Sequence, residues 1–424
     1  MDLFGELRWR GLVYDATDGV AEVLARQRVT VYSGFDPTAA SLHVGHLLQI
    51  LGLARFQRFG HPPIALVGGG TGLIGDPSFK AAERALLSVE QVEANVERIR
   101  TQLARFLDFA DTSTRARLVN NAEWLSRLGA IEFMRDVGKH FGVNAMMAKE
   151  AIKRRVEGDE GISYTEFSYP LLQSYDFLVL HDRFGCTLQI GGSDQWGNIT
   201  AGMDLIRRVR GARAYGLVSP LLMTAAGTKF GKTETGAIWL DSTLTSQFDF
   251  FQFWLNVDDR DAVKYLKFFT FLDAERIAEL EDAGAREPEK RHTQRELARE
   301  VTRLVHGDTA VRESEAAAEK LFRRDLKSMS KPELLEVFNN VPSSRAVLRD
   351  LGSPITDFLT ATNVTSSKSE ATRLIRSGGI YVNDERVTDE KRLLTPADAL
   401  QGEYFVVRKG KKDNFLIRIT PTSP

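Results

Sequence analysis

Hydrophobic positions in the first half of the chain switch repeatedly between two spacings. Val29-Thr30-Val31-Tyr32 is a β-branched run that ends at a glycine-containing loop, the pattern of a strand. Leu47 to Phe59 follows with helix-like spacing and stops at Gly60. Pro63-Ile64-Ala65-Leu66-Val67 is short and wholly apolar, as strands covered on both faces of a parallel sheet are. From Ser88 to Leu107, the side chains Val92, Val96, Ile99, Leu103 and Leu107 mark one helical face with charges between them. Cys186-Thr187-Leu188-Gln189-Ile190 reads as another short strand, ending at Gly191-Gly192. This alternation predicts an α/β fold with a parallel, Rossmann-like sheet, helices on both faces and ligands beyond the carboxyl ends of the strands.

From about residue 235 the texture changes. Leu297, Val301, Leu304 and Val305 share a helical face that Gly307 ends, and the aromatic run Phe248 to Trp254 reads as core. Ile355 to Ser377 predicts two short helices, and Ile380-Tyr381-Val382, Tyr404 to Val407 and Phe415 to Ile419 predict strands. The expected division is an α/β domain over residues 1–220, an α-helical region over 221–340, a Pro/Ser/Gly-rich linker over 341–354 and a small α+β domain over 355–424. A length of 424 residues agrees with two or three cores.

With 43% hydrophobic and 27% charged residues the composition is that of a globular protein. No apolar run reaches the length of a membrane helix, and residues 1–7 lack the pattern of a secretory signal. Cys186 is the only cysteine, which leaves no disulfide and no Cys-based zinc cluster; the expected location is the cytoplasm. A formal net charge of −1 argues against indiscriminate coating of nucleic acid, although local basic faces remain open.

Two glycine-rich segments mislead. Gly70-Thr71-Gly72-Leu73-Ile74-Gly75 matches the dinucleotide fingerprint letter for letter, but Asp76-Pro77 follows where a helix should open. Gly231-Lys232-Thr233 resembles the end of a phosphate loop, yet Ala226 stands where that loop needs glycine. More informative is Tyr32-Ser33-Gly34-Phe35-Asp36-Pro37-Thr38 running into His43-Val44-Gly45-His46 just before a helix. Two imidazoles flanking a glycine at a helix N-terminus can bind an anion, and two surface histidines with a capping glycine fit the same letters. Tyr169, Gln173 and Asp176 fall at i, i+4 and i+7, so one helical face can present all three. A core tyrosine with a solvated aspartate fits that spacing as well.

His43-Val44-Gly45-His46 is similar to the HIGH signature of class I aminoacyl-tRNA synthetases, with valine for isoleucine. Lys229-Phe230-Gly231-Lys232-Thr233 is similar to their second signature, KMSKS, in the form that bacterial tyrosyl enzymes carry. The likeness runs over essentially the whole chain and includes Gly72 to Ser78 and Gln189 to Asn198. On these residues the chain resembles the bacterial tyrosyl-tRNA synthetases.

The resemblance implies activation of L-tyrosine by ATP, accompanied by Mg²⁺, and transfer of tyrosyl to tRNA(Tyr) by a homodimer. Thr38 and His43 would hold the departing phosphates with His46 near the nucleotide, and Lys229, Lys232 and Thr233 would close over pyrophosphate. Lys80 and Arg84 would add positive charge; Ser33, Gly34, Asp36, Gly45, Gly192 and Asp194 would complete the ATP subsite, Asp194 at the ribose. Ser33 stands where relatives often carry cysteine, and Gln49 where some carry threonine. Tyr32 and Asp176 would bond the substrate phenol, Asp76, Tyr169 and Gln173 its ammonium group, and Gln195 would sit by the reacting carboxylate. Trp196 with Arg207 and Arg208 would meet the tRNA acceptor stem. Lys368, Arg373, Arg376, Arg408, Lys409, Lys411 and Lys412 would make phosphate and shape contacts from a C-terminal unit that resembles a ribosomal RNA-binding domain. No protein-held metal is expected. A tryptophanyl-type ligase shares the fold, though the Tyr32/Asp176 pair and the C-terminal domain disfavour it, and a non-catalytic RNA-binding protein on a synthetase scaffold is the alternative of another class.

Overall fold

Short apolar runs between amphipathic helices fold as their pattern requires. The computed structural model describes residues 1–76, 86–110, 113–156, 161–233, 236–347, 351–410 and 413–420. The chain divides into two units, one of residues 1–245 and 254–305, the other of residues 246–253 and 306–424.

In the first unit six strands form one sheet: β1 (Asp15–Ala16), β2 (Thr30–Phe35), β3 (Pro63–Val67), β4 (Arg117–Asn120), β5 (Cys186–Gly192) and β6 (Tyr215–Ser219), in the order β1-β6-β5-β2-β3-β4. All neighbours are parallel except the short edge strand β1, which runs antiparallel to β6. Every residue of β3 is buried, as its unbroken apolar run foretold. The first helix to matter for the site, α1 (Val44–Arg58), starts beyond the carboxyl end of β2 and ends before Gly60, whose φ of +91° turns the chain back into β3. The helix expected after Ser88 is α2 (Val89–Leu103), with Ser88 and Gln91 closing a reciprocal cap and Val92, Val96, Ile99 and Leu103 buried. Two long helices, α3 (Tyr164–Phe184) and α4 (Trp196–Arg210), pack on one another and flank β5. After the sheet the same unit forms a two-stranded ribbon, β7 (Lys232–Thr233) with β8 (Gly236–Ala237), and helices that include α5 (Asp259–Phe269).

The second unit carries a five-stranded sheet ordered β11-β10-β12-β13-β9, from β9 (Ser343–Val347), β10 (Ile380–Val382), β11 (Glu385–Arg386), β12 (Tyr404–Lys409) and β13 (Asp413–Thr420). The two short helices read between residues 355 and 377 are α6 (Ile355–Ala361) and α7 (Lys368–Arg376). One finding departs from the sequence pattern. Within the stretch read as a linker, Ser343–Val347 is a strand that pairs in parallel with β13. Its alternation is weak because only Ala346 is buried. Phe248, Phe250, Phe251 and Trp254 are all buried, so that aromatic run is core.

Candidate active site

The deepest part of the site is built from β2 and α3. Tyr32 points from β2 into the interior, 1% exposed, and Asp176 from α3 is 2% exposed. Asp176 Oδ2 accepts from Asn121 Nδ2 at 2.9 Å, and Oδ1 accepts from Trp124 Nε1 at 2.7 Å. Burial raises its pKa from 3.8 to about 7; the two donors oppose the rise and Asp36 adds to it. Among the described residues the Tyr32 hydroxyl has no hydrogen-bond partner although it is fully enclosed. Burial, ahead of Asp176 and Cys186, drives the Tyr32 phenol pKa up, so that hydroxyl stays protonated. Gln189, in register with Tyr32 on β5, likewise keeps a buried Oε1 without a donor. Unpaired buried polar atoms cost about 1–3 kcal/mol each, and their cluster here marks a niche for a polar group brought from outside.

A second layer of polar side chains lies above. Tyr169 donates to Asp36 Oδ2 at 2.8 Å, Thr71 donates to Asp36 Oδ1 at 2.7 Å, and Asn121 Nδ2 also reaches Thr71 Oγ1 at 2.9 Å. Asp36, expected in the ATP subsite, thus has both carboxylate oxygens engaged, by Tyr169 and Thr71. That packing needs Gly68, because a Cβ there would stand 2.0 Å from Asp36 Oδ1. Gln195 Nε2 donates to Asp76 Oδ2 at 2.8 Å, and Gln173 links Gln195 with Asn198 at 3.3 and 3.0 Å. Thus Asp76, Gln195 and Gln173 form one hydrogen-bonded set, and Tyr169 lies within electrostatic range of Asp36, Asp76 and Asp176. Asp194, at the end of β5, has its pKa raised by burial and by Asp76, while Lys229 pulls it down. Gly34 is the exposed position of β2, and an added Cβ there would meet nothing within 4 Å. Ser33 beside it is buried, and Gln49 donates to Ser219 at 2.7 Å.

The two histidines cap their own helix. His43 Nδ1 accepts from the Gly45 amide at 3.0 Å, His46 Nδ1 accepts from the His43 amide at 3.1 Å, and the rings stack 3.9 Å apart. With Nδ1 accepting, each ring in its neutral form carries its proton on Nε2. The amides of Val44, Gly45 and His46 are all bonded within the protein, so an anion at this end meets imidazole N–H groups rather than bare helix amides. Gly45 is required first by His43, whose ring would lie 2.7 Å from a Cβ. Thr38 lies on the connection between β2 and α1, its amide bonded to Asp36 O.

Residues 229–233 come to the same place from far along the chain. The Val44 amide donates to Ile238 O, the Ile238 amide to Gly231 O and the Leu240 amide to Leu42 O, at 3.0, 3.1 and 2.8 Å. Gly231, at φ +80°, packs so closely that a Cβ would meet Val44 Cγ2 at 2.5 Å. Lys229 is exposed, while Lys232 and Thr233 form β7, their side chains lying outside the described residues. Lys80 and Arg84, and Lys411 and Lys412, also lie outside the described residues. Among the described residues no three or more His, Cys, Asp or Glu stand together as metal ligands.

The expected RNA-facing residues divide between the units. Trp196 begins α4, and Arg207 and Arg208, near its end, both pair with Asp204 at 2.5 and 2.6 Å. In the second unit Lys368 pairs with Asp357, Arg376 with Glu390 and Lys409 with Glu370. Arg408 stacks 3.7 Å over the Tyr381 ring, and Arg373 is exposed on α7. Sequence reasoning passed over Thr71, Asn121, Trp124 and Gln189. The first three reach the pocket from segments 35 to 55 residues away from their partners, a separation that leaves no periodic signal.

A parallel sheet whose strand ends carry two mutually packed signature segments beside a polar amino-acid niche defines a class I aminoacyl-tRNA synthetase. A family model for tRNA synthetases class I (W and Y) matches residues 24–323, and one for the tyrosine–tRNA ligase SYY-like C-terminal domain matches residues 333–417. The tyrosine–tRNA ligase of Roseiflexus castenholzii is 55% identical over 98% of this chain and 99% of its own length, and that of Geobacillus stearothermophilus 53% identical over 99% and 100%. The crystal structure of a C-terminally truncated mitochondrial tyrosyl-tRNA synthetase from Aspergillus nidulans superposes with a TM-score of 0.69 at 30% identity, covering 76% of this chain and 94% of that one. The chain belongs to the bacterial tyrosine–tRNA ligases, enzymes that use ATP to join tyrosine to its tRNA. Among the described residues no helix is long and apolar enough to cross a membrane.

Proposed function

We propose that Tyr32 and Asp176 select the tyrosine phenol, with the Asp176 carboxylate accepting its hydrogen and the unpartnered Tyr32 hydroxyl gaining its missing bond. This arrangement carries the reading: a buried carboxylate with two protein donors stands beside a buried hydroxyl with none. Asp76, Tyr169 and Gln173 hold the ammonium group, and Gln195 orients the carboxylate. That carboxylate attacks the α-phosphorus of MgATP in line, and pyrophosphate leaves. Catalysis here is positioning and charge stabilisation, with little acid–base work. The Nε2–H groups of His43 and His46, with Thr38, Lys229, Lys232 and Thr233, meet the phosphates, supported by the bonds that seat Gly231 on Val44. Asp194, with Ser33, Gly34 and Gly192, takes the ribose side. Magnesium arrives with the nucleotide, whose phosphate oxygens supply most of its ligands. In the second step the terminal adenosine hydroxyl of tRNA(Tyr) attacks the tyrosyl carbonyl and AMP leaves.

Trp196, Arg207 and Arg208 face the acceptor stem in this proposal, and Lys368, Arg373, Arg376, Arg408 and Lys409 the tRNA backbone. Residues 1–220 act as the catalytic domain, 221–340 as the signature loop with the anticodon-side helices, and 355–424 as the RNA-binding domain. The enzyme works in the cytoplasm as a homodimer. Support for the dimer comes from Ile131, Met134 and Val143, which are 77%, 55% and 61% exposed within one short segment that a second copy would cover. The phosphate-side assignment is tested by His46→Ala. Pyrophosphate-exchange kcat should fall at least ~10-fold with tyrosine KM little changed, and an equal loss of tyrosine binding would contradict it.

A further inference from the structure

Residues 222–230 form a hairpin, closed by the Phe230 amide on Leu222 O at 3.0 Å and the Thr224 amide on Thr228 O at 2.9 Å. Its seat is α5. Asp261 Oδ2 accepts from the Ala225 amide at 2.7 Å, and the Tyr265 hydroxyl donates to Met223 O at 3.2 Å. Both side chains are buried, 5% and 1% exposed, and the Phe230 ring at the base of the hairpin lies 4.4 Å from the Tyr265 ring. The far end of α5 is fixed too. Arg55 Nη2 donates to Phe268 O and Thr270 O, both at 2.8 Å. Arg55 belongs to α1, the helix that begins at the two histidines. One helix therefore joins both signature segments, by its end to α1 and by its flank to the hairpin that carries Lys229. The Lys229 charge reaches Asp194 just beyond β5, so the hairpin in this seat keeps its lysine within electrostatic range of that carboxylate.

We propose that Asp261 and Tyr265 are positioning residues for tyrosine activation, holding the hairpin backbone so that Lys229 stands over the phosphates of ATP. They act only through that lysine, and the inference rests on its phosphate role. Asp261→Ala removes the acceptor for Ala225, and Tyr265→Phe removes one oxygen while keeping the ring against Phe230. Each should lower the exchange kcat about 5- to 10-fold with tyrosine KM unchanged, since small misplacements of charge cost that much or more. Asp261→Asn keeps an acceptor oxygen and should restore most of the rate. In a Lys229→Ala background neither change should cost more, because the group they aim is gone.

The measurements are tyrosine-dependent ATP–pyrophosphate exchange and thermal unfolding of the full chain. Unchanged kcat in Asp261→Ala and Tyr265→Phe overturns the proposal. So does a loss that adds in full to that of Lys229→Ala, or an Asp261→Asn variant as slow as Asp261→Ala. Should Asp261→Ala unfold early, Tyr265→Phe carries the test alone. Full activity of Lys229→Ala would instead remove the phosphate role of the lysine, and this inference with it.

Discussion

Replacing Asp176 by asparagine separates recognition from stability. In the native protein both carboxylate oxygens accept, from Trp124 and Asn121. Asparagine keeps one oxygen and turns an amide N–H₂ toward a donor. On the proposed role the variant loses a charge-assisted bond to the substrate phenol, worth about 1.5–3 kcal/mol, and an N–H₂ turned to the phenol leaves its hydrogen without an acceptor, which costs about 1–3 kcal/mol more. A combined ~3–4 kcal/mol corresponds to a drop of two to three orders of magnitude in kcat/KM for tyrosine. Stability moves differently. The folded pKa of about 7 lies above the ordinary 3.8, so between these values the native state holds the extra proton and stability falls as pH rises. Above pH 7 keeping the carboxylate charged costs the fold on the order of 4 kcal/mol. Asparagine removes that cost, so at pH 8 the variant should unfold no earlier than the parent. In the parent, kcat/KM for tyrosine should decline as pH drops below 7, by up to tenfold per unit, and the variant should lack that limb. Tyrosine-dependent pyrophosphate exchange from pH 6 to 9, with thermal melts at each pH, reads all of these. Equal losses toward ATP and tyrosine, or a flat parent profile, would refute the role given to Asp176.

Tyr32→Phe deletes a buried hydroxyl that has no partner among the described residues. Thermal unfolding should therefore show unchanged stability or a gain of about 1 kcal/mol, while exchange assays should show a roughly tenfold narrower preference for tyrosine over phenylalanine. Arg373→Ala removes an exposed charge from α7. It should weaken tRNA(Tyr) binding and reduce the slope of log affinity against log salt by about one, as titrations at several ionic strengths would show, leaving pyrophosphate exchange intact.

The catalytic sheet was legible because its strands are covered on both faces. Pro63–Val67 has no polar residue to obscure it and appears as β3 with the bounds read from sequence. The helix that His43 caps and the one after Ser88 were legible from their spacing, and the structure adds a reciprocal side-chain cap to each. By contrast β9 was hidden in a run of serine and proline, because an edge strand with one buried residue writes almost no pattern. His43 and His46 were legible as a motif, yet the direction of their rings was not, since it depends on which nitrogen caps the helix. Asn121 and Trp124 were invisible for a further reason. Their importance comes from meeting Asp176 in space, and neither belongs to a motif of its own.

Strand β13 is hydrogen-bonded on both sides, to β12 and to β9. During translation β9 leaves the ribosome some seventy residues before the strand that will cover it. Until residues 413–420 emerge, the nascent C-terminal sheet presents open edges and the buried faces of Leu326, Leu334 and Phe338, which share a core with Leu416. A nascent chain stalled before that point would thus leave this core uncovered, and resistance to proteases in this unit would come only with β13 in place.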